Sequence, residues 1–190
     1  YAIRTIRNAD AVLQLVKKEY EEKGKEIDFS ELFGRGIIDT NYFNGMAIVD
    51  AAGRIVVSNL PVAENSSHEF SDREYFRFHK THRDSLHISE PLMSRTISKP
   101  VIVVSRRMNH RDGSFAGTVA VQVEPSTFTR FYASANLRSY DIISLIAPNG
   151  ITYARRTGNI QSFGENISKS PLFRHVAEDP VDYYLAQDAI

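Results

Sequence analysis

The chain has 190 residues, of which 42% are hydrophobic and 24% charged, as is typical of a folded domain with a substantial core. Its 23 Lys and Arg balance 23 Asp and Glu, so no overall charge favours nucleic acid or an anionic membrane, and any anion must be bound by a local cluster. The absence of cysteine excludes disulfides, thiolate nucleophiles and Cys-ligated zinc. The sequence contains no apolar run of about 18 residues, so it predicts no membrane-spanning helix.

The first predicted element is a long amphipathic helix over residues 1–26. Its apolar residues recur at alternating steps of three and four, which is a coiled-coil-like spacing. They are Ile6, Ala9, Leu13, Val16 and Tyr20. Gly24 is suited to end the helix. The helix could pack on its own domain or form a dimer helix that continues from a membrane segment. Both are compatible, because Val12 and Leu15 extend a second apolar stripe.

A strand, a tight turn and a second strand are predicted next, in "NGMAIVDAAGRIVVSN". Apolar residues flank the turn Asp50-Ala51-Ala52-Gly53, and Gly53 supplies the backbone freedom that such a turn requires. The following loop, "LPVAENSSHE", is rich in Pro, Ser and Asn.

The segment "SDREYFRFHKTH", residues 71–82, predicts a short helix. Ser71 or Asp72 could cap its first turn. Glu74 stands three residues after Ser71, which is the capping-box spacing.

Two strands and a closing helix follow. The strands are "VIVVSRRM" and "TVAVQVEP", joined by a turn on Asp112-Gly113. The closing helix is "STFTRFYASANL", which Ser126 could cap.

The strand–turn–strand pattern then returns about 100 residues later, which indicates an internal repeat. The second copy, "YDIISLIAPNGITYARR", continues into a short helix opened by Ser170-Pro171 and a strand up to Ile190. It lacks counterparts of the two long strands. The predicted α+β organisation is therefore a long helix and connector at 1–39, a complete unit at 40–138 and an incomplete second unit at 139–190.

Three motifs occur in a characteristic order and spacing. They are Asp72-Arg73-x-Tyr75-Phe76, the turn Pro91…Ser94-Arg95-Thr96…Lys99, and Asp112-Gly113-x-x-x-Gly117. With them, nearly the whole chain resembles the double-Cache (dCache, or double PDC) extracellular sensors of bacterial transmembrane receptors. The resemblance implies tandem PAS-like modules with antiparallel sheets, residues 40–138 forming the membrane-distal ligand-binding module and 139–190 the start of the membrane-proximal one.

The same resemblance implies a function. The chain would be the periplasmic, extracytoplasmic part of an inner-membrane signalling receptor and would form a homodimer through its N-terminal helix. It would bind a small molecule and pass the change to a cytoplasmic output domain, a diguanylate cyclase or a histidine kinase. The domain itself would not be an enzyme and would need no cofactor, metal or nucleic acid.

The ligand class can be narrowed by how this sequence departs from the family. Amino-acid-binding members carry Arg-x-Trp-Tyr on the pocket helix, and this chain has Arg73-Glu74-Tyr75-Phe76. Gln122, five residues after Gly117, stands where those members have an amine-binding Asp. A neutral amide cannot balance an ammonium group as a carboxylate does. A carboxylate or similar anion, or a neutral ligand, is therefore favoured over an α-amino acid.

Residues 71–107 gather the side chains that could hold such a ligand, because Arg binds carboxylates through its planar fork and an anion needs fixed donors in a concave site. The candidate ligand-binding residues are Arg73, Tyr75, His79, Arg95, Thr96, Ser105 and Gln122. Each also has a structural interpretation: Arg73 could pair with a neighbouring acid, Tyr75 could be a core aromatic and His79 a satisfied histidine. Of Arg106 and Arg107, one is expected in an ion pair and the other in solvent.

Two other functions stay open. A hydrolase with a Ser–His pair is one, although the sequence has no Gly-x-Ser-x-Gly elbow and no Gly-rich phosphate loop. A dimerisation or partner-binding spacer without a small ligand is the other. A metal site at His79, His82 and His87 is disfavoured, because no acidic partner stands at a set distance.

Overall fold

The computed structural model describes residues 2–36, 38–39, 41–60, 69–83, 85–134, 138–171 and 173. The chain divides into two compact units, Tyr1–Phe128 and Thr129–Ile190. The first combines helices with a six-stranded antiparallel sheet, and the second has a three-stranded antiparallel sheet. The predicted α+β class is confirmed.

Helix α1 spans Ala2–Lys23 and packs on the sheet of the first unit. Its buried residues lie on one stripe: Thr5, Ala9, Val12, Leu13 and Val16. Gly24 follows with φ +61°, a left-handed conformation that ends the helix as predicted. A 3-10 turn, Gly24–Glu26, and a short helix α2, Phe29–Gly34, follow. The interpretation that α1 packs on its own domain is confirmed, and the dimer stays a prediction.

The sheet of the first unit is built from six strands. They are β1 (Gly45–Asp50), β2 (Ile55–Ser58), β3 (Leu86–Ile88), β4 (Leu92–Met93), β5 (Pro100–Asn109) and β6 (Phe115–Val123). Their order is β2-β1-β6-β5-β3, with β4 also pairing to β5, and every pair is antiparallel. The sequence predicted β1, β2, β5 and β6. It missed β3 and β4, because two or three residues are too few to show an alternating pattern.

The two faces of this sheet carry different helices. Helix α3 (Glu74–Thr81) contacts Ser105 and Arg107 of β5, whereas α1 contacts Arg106 through an ion pair with Asp10. Successive side chains of a strand point to opposite faces, so α1 and α3 cover opposite faces of the sheet. On the α3 face an apolar cluster forms the core, consisting of Val49, Phe70, Tyr75, Phe76, Val101, Val103 and Ala120.

The start of α3 differs from the prediction. Its N-cap residue is Arg73, and no side chain caps the first turn. Ser71 Oγ instead donates to Glu69 Oε1 at 2.6 Å, and the carboxylate of Asp72 binds Arg95. The capping-box prediction is wrong, because both capping candidates have found tertiary or loop partners that local sequence spacing does not reveal.

The second unit contains β7 (Ile142–Ile146), β8 (Thr152–Thr157) and β9 (Ile160–Ser162), in the order β7-β8-β9. The predicted closing helix begins at Ser126 as expected: α4 covers Ser126–Thr129 and continues as the 3-10 helix Arg130–Ser134, and residues 135–137 lie outside the described part of the chain. Strand β9 was not predicted. The helix predicted from Ser170-Pro171 and the strand to Ile190 lie almost entirely outside the described residues.

The internal repeat is present in the backbone of both units. Gly53 has φ +89° and Gly150 has φ +85°, and each carbonyl accepts a backbone hydrogen bond, at 2.7 Å and 2.9 Å. A Cβ on either glycine would lie 2.7 Å from the backbone nitrogen of a serine, Ser71 in the first unit and Ser168 in the second. Both glycines are therefore required by the turn and by close backbone approach.

Across the described residues, every helix is too short or too polar to cross a bilayer.

Candidate functional site

The candidate site lies on the α3 face of the sheet, where the start of α3, the β4–β5 turn and the end of β6 meet. Its polar members define the α3-face site: Asp72, Arg73, Tyr75, Ser94, Arg95, Thr96 and Gln122. Asp72 and Arg73 directly precede α3 and Tyr75 lies in its first turn, whereas Ser94, Arg95 and Thr96 belong to the β4–β5 turn and Gln122 to β6.

Arg95 is fixed by a bidentate ion pair. Its Nη1 and Nη2 donate to Asp72 Oδ1 and Oδ2 at 2.8 and 2.6 Å, and Nη1 also donates to the carbonyl of Glu69 at 2.7 Å. The guanidinium lies 5.8 Å from the ring centroid of Phe70. The bond to Asp72 raises the pKa of Arg95, and the bond from Arg95 lowers the pKa of Asp72. This pair ties the β4–β5 turn to the start of α3.

The positive charge of Arg73, unlike that of Arg95, is not balanced by an ion pair with a carboxylate. Its Nη2 donates to the carbonyl of Met93 at 3.3 Å, and no carboxylate of the described chain forms an ion pair with it. Partial burial lowers the pKa of Arg73, and repulsion from Arg95 lowers it further. A half-buried guanidinium without an anionic partner is unfavourable, and a bound anion would relieve this.

Tyr75 joins the apolar core to this charged region. It is 5% exposed and packs in the core cluster, so its interpretation as a core aromatic is correct. Burial raises the pKa of its hydroxyl to about 12, although the positive charges of Arg73 and Arg95 act in the opposite direction. The hydroxyl is therefore protonated at neutral pH and can donate. Within the described ranges it has no hydrogen-bond partner.

Gln122 is held by two hydroxyls of the turn. Ser94 Oγ donates to Gln122 Oε1 at 2.8 Å, and Gln122 Nε2 donates to Thr96 Oγ1 at 3.0 Å. Ser94 Oγ also accepts the backbone N–H groups of Thr96 and Ile97, at 3.2 and 3.3 Å. These bonds fix the orientation of the amide, whose Nε2 keeps a second N–H.

The turn itself is conformationally constrained. Ser98 has φ +52°, a left-handed conformation that is uncommon for a residue other than glycine. The backbone bonds from Ser94 N to Lys99 O, at 2.9 Å, and from Ser98 N to Ser94 O, at 3.1 Å, close the turn. Lys99 Nζ also lies 3.2 Å from Glu124 Oε1, next to the end of β6. The polar groups of the turn are thus held in place over the sheet.

His79 and Ser105 form a separate buried pair. His79 Nε2 lies 3.0 Å from Ser105 Oγ, and both side chains are fully buried. Burial lowers the pKa of His79 to about 4, and His87 and Arg107 add to the shift. His79 Nδ1 is buried without a partner. The imidazole is therefore neutral at physiological pH.

The expectation of one solvated arginine in the Arg106-Arg107 pair is wrong. Arg107 is 5% exposed. Its Nη1 donates to the carbonyl of His79 at 2.6 Å, its Nε donates to Asn109 Oδ1 at 2.6 Å, and its guanidinium lies 4.9 Å from the Phe115 ring centroid. Since Arg106 pairs with Asp10, both arginines are structural and link the sheet to the two helices that cover it.

No family model and no curated protein matches this chain. Solved structures do match. The extracellular domain of the histidine kinase rpHK1S-Z16 has 28% identity and a TM-score of 0.74, over 93% of this chain and 73% of that one. An extracellular ligand-binding receptor from Desulfohalobium retbaense has 19% identity and a TM-score of 0.66, over 93% of this chain and 32% of that one. The ligand-binding domain of Mlp24 with asparagine has 15% identity and a TM-score of 0.61, over 89% and 69%.

The chain has the fold of Cache-type extracellular sensor domains. The resemblance inferred from the sequence is thereby confirmed. The three neighbours are described as the extracellular domain of a histidine kinase, an extracellular ligand-binding receptor and a ligand-binding domain.

In this Cache-type fold the seven sequence-predicted residues fall into two groups. One group meets at the α3-face site: Arg73, Tyr75, Arg95, Thr96 and Gln122. The other is the buried pair of His79 and Ser105, which lies further along α3 and β5. Their roles in ligand binding stay a prediction.

Two members of the site were missing from the sequence-based list. The sequence predicts Asp72 as a possible helix cap, and both Asp72 and Ser94 belong to the motifs that carry the Cache resemblance, but neither is predicted to bind a ligand. The pairing of Asp72 with Arg95 could not be read from the sequence, because 23 positions separate the two residues. Ser94 had one usable signal, since it stands two residues before Thr96 in a turn, where a serine hydroxyl often binds nearby backbone N–H groups.

Proposed function

We propose that this chain is the extracytoplasmic ligand-sensing domain of a bacterial transmembrane receptor, and that its first unit binds a small anionic molecule, of the carboxylate class, at the α3-face site. The observation that carries the proposal is the half-buried guanidinium of Arg73, without a carboxylate partner, close to the unbonded hydroxyl of the buried Tyr75. The Cache-type fold supports it, because solved neighbours are receptor domains and Mlp24 is described with bound asparagine.

The charge of the site supports an anion. Arg73 and Arg95 bring two positive charges and Asp72 one negative charge, so the site carries an excess positive charge in a partly buried setting. A carboxylate could accept hydrogen bonds from the Arg73 fork and from the Tyr75 hydroxyl. Where an ammonium would need a carboxylate, Gln122 offers a neutral amide whose oxygen already accepts from Ser94.

Signalling would follow from a population shift rather than from chemistry. A ligand that contacts both α3 and the β4–β5 turn favours the conformation in which the two are close, and it can bias signalling only by its different affinity for the two states. The output would be a cytoplasmic histidine kinase or diguanylate cyclase beyond an inner-membrane segment, and the receptor would act as a homodimer through α1.

Catalysis by a Ser–His pair is disfavoured by the geometry. Ser105 and His79 are within hydrogen-bond distance, but both are fully buried and inaccessible to a substrate. The second ring nitrogen of His79 has no acidic partner, whereas a catalytic histidine is oriented by an acid at that atom. We therefore propose binding, without an enzymatic step, as the function of this domain.

A thermal-shift screen tests the proposal. The parent chain would be screened against carboxylates, amino acids, amines and nucleobases, and the hits repeated on Arg73→Ala. A ligand at about 100 times its dissociation constant should add ~2.7 kcal/mol of stability, which corresponds to several degrees in Tm. We expect carboxylates among the hits, and we expect Arg73→Ala to abolish the stabilisation.

Matched variants separate binding from folding. Arg77→Ala removes an exposed arginine from α3 and should leave the stabilisation by every hit unchanged. Gln122→Glu keeps the shape of the amide but adds a charge, so it should weaken carboxylate hits and favour ligands that carry an ammonium group. A screen without hits, or hits that persist in Arg73→Ala, would contradict the proposal and favour the ligand-free spacer.

A further inference from the structure

A concave site lies on the opposite face of the sheet from α3. It is a groove of about 460 Å³ between α1 and the end of the β5–β6 hairpin, within the first unit. Its lining includes Tyr20, Met108 and Ala116, with Lys17, Asn109 and Arg111 among its polar residues. We call it the α1 groove. Its volume is in the range of small-ligand pockets.

The groove has an apolar base. Met108 is 1% exposed and Ala116 is half-buried, so their side chains form a floor without hydrogen-bonding groups. The ring of Tyr20, from α1, adds aromatic surface to the wall. A flat apolar body such as an aromatic ring could pack there.

The polar groups of the groove are mostly donors. Asn109 is not counted among them, because its Oδ1 accepts from Arg107 Nε at 2.6 Å and Arg107 lies on the α3 face of the sheet. In the part of the chain that the structure describes, the hydroxyl of Tyr20 has no hydrogen-bond partner and Arg111 has no acidic partner. Burial, and to a lesser degree the carboxylate of Asp50, raises the pKa of Tyr20, which keeps the hydroxyl protonated.

The acidic residues nearby do not offset these donors. Glu21 is the one acid in the lining, and it lies 3.9 Å from Lys17 in an ion pair. Asp50 is occupied by the backbone N–H groups of Ala52 and Arg54 and by the guanidinium of Arg54. Arg111 therefore leaves the groove with an excess positive charge.

We propose that the α1 groove is a second binding site, distinct from the α3-face site, for a small organic anion that joins an apolar, preferably aromatic, body to a carboxylate. The body packs on Met108 and Ala116, and the carboxylate accepts from Arg111 and from the Tyr20 hydroxyl. A molecule in this position contacts α1 and the β5–β6 hairpin together, so its binding stabilises the packing of α1 on the sheet.

The test is a ¹⁹F NMR titration of the full chain with 4-fluorobenzoate. We expect a saturable shift with a dissociation constant on the order of 1 mM, since so small a probe can gain little affinity. Arg111→Glu should weaken binding more than about tenfold, because it replaces an attraction by a repulsion of similar size. Arg83→Glu, the same charge change at an exposed site elsewhere, should leave the affinity unchanged.

Two further variants identify the site. Ala116→Phe fills the groove without changing its charge and should abolish binding, and its Tm shows whether the fold is retained. Arg73→Ala alters only the α3-face site, so the part of the shift that Arg111→Glu weakens should remain in this variant. No saturable shift, a shift insensitive to Arg111→Glu, or a shift lost only in Arg73→Ala would each overturn the proposal. The last result would support the α3-face site while excluding the groove.

Discussion

At the α3-face site, only one of the two arginines, Arg95, is paired with a carboxylate. Asp72 pairs with Arg95 through both oxygens, and Arg73 is left with one backbone carbonyl. The lowered pKa of Asp72 means that this pair contributes stability above the unfolded pKa of Asp72 and loses it as the pH falls through the folded pKa. Because Asp72 is mostly exposed, this contribution is small. The main consequence of the Asp72–Arg95 pair is that the only carboxylate of the site is occupied, which leaves the guanidinium of Arg73 available to a ligand.

The buried His79 should make stability depend on pH. Its pKa is lowered from 6.5 to about 4, so between these values the unfolded chain binds a proton that the folded chain does not. The free energy of unfolding should therefore decrease as the pH falls from 6.5 towards 4, with a loss of about 2 kcal/mol at pH 5. Urea unfolding at pH 5, 6 and 7 measures this, and in His79→Gln that loss should disappear.

Ser105→Ala is the matched control for His79. It removes the hydroxyl partner but keeps the buried imidazole, so the decrease in stability below pH 6.5 should remain. If His79→Gln and the parent lose stability equally between pH 7 and 5, His79 does not titrate as its burial implies.

At the scale of elements, the strand–turn–strand repeat predicted from the sequence is present in both units. In both units a glycine with positive φ approaches the backbone of a serine closely, so the repeat is one of backbone geometry as well as of apolar pattern. The short strands could not be predicted in the same way. Strands β3, β4 and β9 have two or three residues each, and their pairing partners, not their own residues, make them strands.

Substitution at Gly53 should be more damaging than substitution at another left-handed glycine. Gly53→Ala places a Cβ 2.7 Å from Ser71 N in addition to the backbone strain, and should lower the free energy of unfolding by about 3 kcal/mol or more. Gly113 has a similar φ, +81°, but open space around its Cβ position. Gly113→Ala should therefore cost only ~1 kcal/mol.

Urea denaturation of the two alanine variants provides the comparison. Equal losses would show that the turn at residues 50–53 can move away from Ser71, and that close approach is not what requires the first glycine of the repeat.

At the scale of the whole molecule, α1 has a buried side and an exposed side. Leu13 is fully buried against its own sheet, whereas Ile3 is 70% exposed. Leu13→Ala should lower the free energy of unfolding by about 2–5 kcal/mol. Ile3→Asp should change it by less than ~0.5 kcal/mol but should weaken the homodimer predicted through α1. Urea unfolding and sedimentation velocity at several protein concentrations measure the two effects separately.

Either of two results would reject the dimer as predicted. The parent chain could sediment as a monomer at every concentration, or Ile3→Asp could associate as strongly as the parent. In both cases α1 would serve only as the helix that covers one face of the first unit.

The sequence by itself determined the features that depend on neighbouring residues along the chain. These are the α+β class, the amphipathic helix ending at Gly24, the two glycine turns, the long strands β5 and β6, and the Cache resemblance carried by motifs such as Asp72-Arg73-x-Tyr75-Phe76. Periodicity and turn chemistry are local, so one sequence is enough to recognise them. The sequence also indicated which residue types could bind an anion.

Only the tertiary structure decided how those residues are paired. Two contacts join positions far apart in the chain: Asp72 pairs with Arg95, and Ser94 donates to Gln122. The burial of Arg107 likewise depends on groups that are distant in sequence. The same holds for the α1 groove, whose walls come from α1 and from the β5–β6 hairpin. Hydrogen-bonding capacity belongs to a residue type, but whether a donor is satisfied, and so whether it is available to a ligand, depends on which distant groups the fold brings to it.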